Sequence, residues 1–311
     1  MAELQLKDLQ ELLATSHTAL IERADSDFRE NIKTLANAIV ERGTRVLLLA
    51  GPSGSGKTTT ANILADTLRA EGRDAIVISL DNFYRSEGDP AYPLNDKGEP
   101  DWEAPESLHI DMIRKTIVDI EEGREVHLPR FDFRRGIRID NDMTVKIGEG
   151  GCAIIEGLHA LNPILTDGIP HTAVTKVFIS VSTNILEGDT PILSGRKIRF
   201  IRRLTRDYLY RNSSATRTLG LWDSVLAGED KFLYPFRCLA DFQFNTFHLY
   251  ELSVLKPFTL KVMAESPHAE SPLLDMARNI FSAIDTIQEA LVPQTSLIRE
   301  FIPGGVYEEL Y

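Results

Sequence analysis

The chain has 311 residues, 43% of them hydrophobic, enough to bury a full core in one large α/β domain with extensions. Acidic residues outnumber basic ones 46 to 34, and the formal charge of −12 repels a polyanion over most of the surface, which argues against nucleic acid as a partner. The sequence has neither an apolar run long enough for a membrane span nor a basic-then-apolar leader, and Cys152 and Cys238 are too few for a disulfide framework, so a cytoplasmic protein is expected.

Residues 1–43 place Leu9, Leu12, Leu13, Leu20 and Ile21, then Phe28, Ile32, Leu35, Ile39 and Val40, at helical spacing, which predicts two helices. At 46–50 the pattern becomes Val46-Leu47-Leu48-Leu49-Ala50, the continuous apolar run of a strand buried on both faces. A helix over 57–71, ended by Gly72, and a second short run over 75–80 complete a strand-helix-strand unit, for which a right-handed crossover is expected. Residues 85–105 are rich in Pro, Gly, Asp and Glu and predict a surface loop ahead of a helix over 107–122. Runs at 152–155 and 176–181 predict further core strands, 197–211 a strongly basic helix, 242–260 one or two strands, and 273–291 a helix.

The chemistry is written first in Gly51-Pro52-Ser53-Gly54-Ser55-Gly56-Lys57-Thr58, which satisfies every fixed position of a phosphate-binding P-loop and lies between a predicted strand and helix. Glycines let backbone N–H groups turn inward around phosphate oxygens, and the helix that follows presents its unpaired N–H groups and positive end. Lys57 then faces β and γ oxygens, the Thr58 hydroxyl suits Mg²⁺, and the ATP-binding set runs over Gly51, Ser53, Gly54, Ser55, Gly56, Lys57, Thr58 and Thr59.

The second strand ends in Ser79-Leu80-Asp81-Asn82-Phe83-Tyr84, and the carboxyl ends of parallel strands are where ligands sit. Asp81 is therefore placed to accept a proton from an attacking hydroxyl, although an Asp there also caps turns. Glu156, after Ile154-Ile155, stands where P-loop enzymes keep an acid near Mg²⁺, with a solvated strand-end Glu as the plainer reading. His159 is read as packing. Arg196, Lys197, Arg199, Arg202, Arg203, Arg206, Arg211 and Arg217 concentrate positive charge, and Arg199, Arg203 and Arg206 share one helical face. Such a face fits either a mobile lid over ATP or a solvated basic helix.

In this order the motifs resemble the uridine kinase and phosphoribulokinase family of P-loop kinases. The resemblance rests on residues 51–58, Ser79-Leu80-Asp81-Asn82-Phe83-Tyr84-Arg85, Glu103-Ala104-Pro105-Glu106, Leu128-Pro129-Arg130-Phe131-Asp132-Phe133, Ile155-Glu156-Gly157-Leu158-His159-Ala160-Leu161 and Arg202-Arg203-Leu204-Thr205-Arg206-Asp207. A tail with Ser296-Leu297-Ile298-Arg299-Glu300-Phe301-Ile302 is similar to a longer subgroup. The resemblance implies a three-layer α/β P-loop fold with a parallel central sheet, an Arg-rich lid and helical terminal extensions, divided at 1–43, 44–260 and 261–311. It implies transfer of the ATP γ-phosphoryl group to a primary hydroxyl of a small molecule, with a nucleoside such as uridine or cytidine ahead of another sugar-like or pantothenate-like alcohol. A P-loop ATPase or regulatory module is the reading from a different class. Asp81, Lys57 and Arg206 would be catalytic, Thr58, Asp81 and Glu156 would hold Mg²⁺, and Arg211 would join the ATP site. Tyr84, Glu103, Phe131 and Arg203 would receive the acceptor. Where pyrimidine-reading members carry Tyr and His this chain has Phe131 and Gly136, and Arg134 and Arg135 either replace those contacts or read a different acceptor. Self-association into a homo-oligomer is left open.

Overall fold

The computed structural model describes residues 2–95, 98–170 and 173–310; positions 96 and 97 of the predicted 85–105 loop lie outside the described residues. Five parallel strands form the central sheet in the order β10-β7-β2-β6-β3: Phe242–Asn245, Val174–Ser180, Val46–Ala50, Cys152–Glu156 and Ala75–Ser79. β2 lies at the centre and is buried throughout, which is why it reads as an unbroken apolar run. Its side chains alternate. Leu47 and Leu49 join a core with α1 (Leu6–Leu13), α2 (His17–Arg42), α3 (Lys57–Ala70) and α5 (Gly195–Arg211), whereas Val46, Leu48 and Ala50 face α4 (Ile110–Glu121). The three layers are as expected.

The N-terminal helices appear as predicted, with Ser16 capping α2 by accepting a hydrogen bond from the Ala19 N–H. Ahead of them β1 (Ala2–Gln5) pairs with β8 (Thr183–Glu187), which pairs with β9 (Thr190–Leu193) in a small second sheet. An antiparallel hairpin, β4 (Val126–Asp132) and β5 (Ile137–Val145), precedes β6.

Two predicted elements change. In 242–260 the strand stops at Asn245, and Glu251–Ala264 forms helix α7 rather than a second strand. α7 buries Leu252, Leu255, Thr259 and Val262 at helical spacing, but Glu251, Ser253 and Val254 are buried too, so little polar face marks the period. The helix predicted over 273–291 is α8 (Pro272–Ser282), with a separate short turn at Glu289–Leu291. No helix among the described residues is long and apolar enough to cross a membrane.

Candidate active site

The loop between β2 and α3 turns twice through left-handed backbone, at Gly54 (φ +72°) and Gly56 (φ +89°), conformations that favour glycine. Its carbonyls face the protein. Arg199 Nη1 donates to Ser53 O at 2.8 Å, Arg202 Nη1 to Gly54 O at 3.3 Å, the Thr246 hydroxyl to Ser55 O at 2.8 Å, and Lys57 Nζ to Pro52 O at 3.3 Å. The loop leads straight into the N-terminus of α3, where unpaired backbone N–H groups and the positive end of the helix suit a phosphate.

The clamp comes from α5, and the basic stretch differs here from a solvent-facing charge run. Arg199 and Arg202 are 1% and 0% exposed, so neither is a surface group awaiting an anion. Arg199 forms a two-pronged pair with Glu229 of α6 (Ala215–Phe232), 2.8 Å on each prong, and Glu229 also accepts from the Ser53 N–H at 2.8 Å. Arg202 forms a second such pair with Glu251, at 3.0 and 2.6 Å. The self-repulsion of clustered arginines is offset by the protein's own carboxylates.

The arginines that follow meet a different carboxylate, Asp207. Arg203 Nη1 donates to Ser53 Oγ at 2.8 Å, Arg206 pairs with Asp207 at 2.9 Å, and Arg211, half exposed, lies 3.6 Å from the same carboxylate. The guanidinium of Arg206 pulls that of Arg211 down to about 10, with burial adding to the effect. Burial pulls Arg206 down as well, but Asp207 and Glu300 outweigh it and hold its charge.

Acids gather around Lys57. Burial lowers its ammonium pKa while Glu156, Asp81 and Glu300 oppose that shift. Asp81 follows β3 in a short turn where Ser79 Oγ accepts from its N–H at 3.4 Å, and it is open to solvent. Glu156 ends β6 opposite Ser79 in register. Burial, then repulsion from Asp81, pushes the Glu156 carboxyl up to about 7, against the pull of Lys57. The repulsion that Asp81 exerts on the buried Glu156 carboxyl is the kind a divalent cation relieves, and the oxygens of Thr58, Asp81 and Glu156 are hard donors of the type that suits Mg²⁺.

Glu103 approaches from the loop before α4. Burial pushes its carboxyl up to about 7, Arg203 draws it down, and Glu229 and Asp81 raise it. Helix α6 leaves room for it with Gly228, where a Cβ would stand 2.6 Å from Glu103 Cβ. His159 is buried, and burial lowers its imidazole to about 4, which agrees with its reading as packing. Beside these acids stands an aromatic wall: Tyr84 lies 5.7 Å from Phe131, 6.1 Å from Trp102 and 6.2 Å from Phe133, ring centre to ring centre. Asn82 ties that wall to the Asp81 turn by accepting from the Phe131 N–H at 3.2 Å.

The structure thus brings Lys57, Asp81, Glu103, Glu156, Arg203, Arg206 and Arg211 to one end of the sheet. At position 136 a Cβ would collide with the Glu87 carboxyl and the backbone is left-handed (φ +63°), so a histidine does not fit there without rearrangement. Glu229, Glu251 and Glu300 were not found by sequence reasoning, because no local spacing links them to the arginines and loop residues they bind.

The profile of the Phosphoribulokinase / Uridine kinase family matches residues 46–250. A uridine kinase of Ureaplasma parvum is 30% identical over 193 residues, 61% of this chain and 82% of the relative. One of Staphylococcus aureus is 26% identical over 202 residues, 64% of this chain and 86% of the relative. Among solved structures, D-glycerate 3-kinase of Cryptococcus neoformans var. grubii is similar over 87% of both chains, with a TM-score of 0.35 and 14% identity, too distant to carry an argument. A P-loop between a central parallel strand and its helix, acids on the neighbouring strand ends and a profile match over most of the chain lead to one assignment: the protein belongs to the phosphoribulokinase/uridine kinase family, as a P-loop kinase with ATP as phosphoryl donor and a small molecule as acceptor.

Proposed function

We propose that the protein transfers the γ-phosphoryl group of ATP to a primary hydroxyl of a nucleoside such as uridine or cytidine. The observation that carries this reading is the position of Asp81, solvent-open at the end of β3 between buried Lys57–Glu156 chemistry and the Tyr84–Phe131 wall. Asp81 accepts the acceptor hydroxyl's proton and orients its oxygen for in-line attack. Glu103 accepts hydrogen bonds from sugar hydroxyls, Tyr84 and Phe131 bound the acceptor, and Arg203 links that side to the loop. Gly51, Ser53, Gly54, Ser55, Gly56, Lys57, Thr58 and Thr59 hold the phosphates, Arg211 contacts ATP, and Arg206 faces the charge that develops in transfer. Thr58, Asp81 and Glu156 would hold Mg²⁺, which, when bound, would neutralise phosphate oxygens. Residues 44–260 form the kinase domain, with 1–43 and 261–311 as extensions packed on it.

A second reading has its own support. Phe131 lacks a hydroxyl, and the Glu87 carboxyl stands where a side chain at 136 would go, so the base-reading hydrogen bonds of a pyrimidine site are weakened and another sugar-like or pantothenate-like alcohol is the alternative acceptor. Incubation with Mg-ATP and a panel of nucleosides, sugars, sugar phosphates and pantothenate, with phosphorylated products identified by ³¹P NMR, separates the two. A uridine or cytidine monophosphate product supports the nucleoside. Product from a different alcohol alone overturns it, and phosphate released without any acceptor favours an ATPase.

A further inference from the structure

The C-terminal segment closes against the back of the phosphate loop. Leu297 packs under Gly56, with its methyl carbons 2.9–3.0 Å from where a Cβ would stand. Three residues on, the buried Glu300 carboxylate accepts from the Thr59 hydroxyl at 2.8 Å and from the Thr59 N–H at 3.3 Å. The N-cap of α3 is Gly56, which has no side chain to accept from the first turn, so a carboxylate 241 residues away supplies that acceptor. The other oxygen of Glu300 lies 3.7 Å from Arg206.

The segment is itself pinned. Ser296 donates to buried Asp25 of α2 at 2.9 Å, Tyr250 donates to the same oxygen at 2.8 Å, and the Tyr210 hydroxyl donates to Ile302 O at 2.9 Å. Arg299 donates to the carbonyls of Glu289 and Val292 at 2.9 and 2.6 Å, which fixes the turn that carries Glu300.

We infer that Glu300 is a positioning residue of the nucleotide site, orienting Arg206 and the first turn of α3, and that nucleotide binding and the order of residues 297–302 are therefore coupled. This rests on the phosphotransfer reading of the site. A carboxylate there repels the triphosphate, so whatever it returns to nucleotide binding comes through geometry, by holding one end of a guanidinium whose other partner is Asp207. The coupling is reciprocal: whatever nucleotide does to the order of Thr59 and Arg206, the segment returns to the nucleotide.

The test uses the full chain and Mg-ATP, with Glu300→Gln, which keeps an oxygen for Thr59 and removes the charge from Arg206, and Glu300→Asp, which keeps the charge. Hydrogen exchange of the 297–302 amides should slow about tenfold when Mg-ATP binds the wild type, and that slowing should be largely lost in Glu300→Gln at Mg-ATP concentrations that calorimetry shows to saturate both proteins. In ADP release with the acceptor panel, Glu300→Gln should lower kcat about tenfold without raising the KM for ATP, and Glu300→Asp should recover most of the loss. Exchange indifferent to bound ATP in the wild type, unchanged coupling in Glu300→Gln, or a raised KM that follows a lowered Tm would overturn the inference. A wild type that binds Mg-ATP with the predicted protection but phosphorylates nothing sinks the kinase acceptor reading while leaving Glu300 coupled to the nucleotide.

Discussion

Helix α5 holds two populations of arginine that the sequence writes alike. Arg199 and Arg202 are sealed in the protein, each gripped by two oxygens of a glutamate, and donate to carbonyls behind the phosphate loop, to the Tyr234 hydroxyl and to Thr246. Arg203, Arg206 and Arg211, one to three turns further along, share Asp207 and turn toward the acids of the site. The difference teaches that a basic stretch is divided by the partner each arginine meets. The first pair has a dedicated carboxylate for each cation and becomes scaffold; the second group shares Asp207 among three cations and is left with affinity for phosphate.

The sharpest way to break this division is to orphan a sealed arginine. Glu251→Ala leaves Arg202 charged and unpaired at 0% exposure, a change that costs about 3–5 kcal/mol, so thermal melting should show a fall of roughly 10 °C or failure to fold. The Asp207 group should behave differently. Arg206→Lys keeps the charge but not the fork, and steady-state kinetics should show kcat down about 100-fold while Tm moves by only a few degrees. If both substitutions reduce stability alike, the division fails.

Smaller changes sharpen the acceptor side. Gly228→Ala places a methyl against Glu103 and should raise the KM for the acceptor several-fold, leaving the KM for ATP near its wild-type value. Glu103 also gives a pH signature. Its carboxyl is raised to about 7 in the fold, so the cost of ionising it is absent below its unfolded pKa of about 4.3 and complete above pH 7. Without ligands, Glu103→Gln should therefore gain stability relative to wild type, by a few degrees, as pH rises from 5 to 8. A difference in Tm that stays flat with pH would show that Glu103 is not so perturbed.

Much of this site was legible because its parts are local. The run Val46–Ala50, the glycines after it, and single acids at the ends of short apolar runs each announce themselves within a few residues. The scaffold half was not legible, because its meaning is set by partners remote in sequence: Arg199 and Glu229 are 30 residues apart, Arg202 and Glu251 are 49 apart, and Thr59 and Glu300 are 241 apart. Helix α7 was hidden for a related reason. It is buried on nearly every side, so the polar face that reveals a period is missing and the alternation around Phe242–Asn245 extended too far.

The most direct test of the account is ADP release by Asp81→Asn beside wild type, with and without an acceptor alcohol. Removing the group that accepts the hydroxyl proton should lower acceptor-stimulated turnover about 100-fold or more, with Tm little changed. ATP turnover that no acceptor stimulates, or acceptor-stimulated turnover that survives Asp81→Asn, would contradict phosphoryl transfer through Asp81.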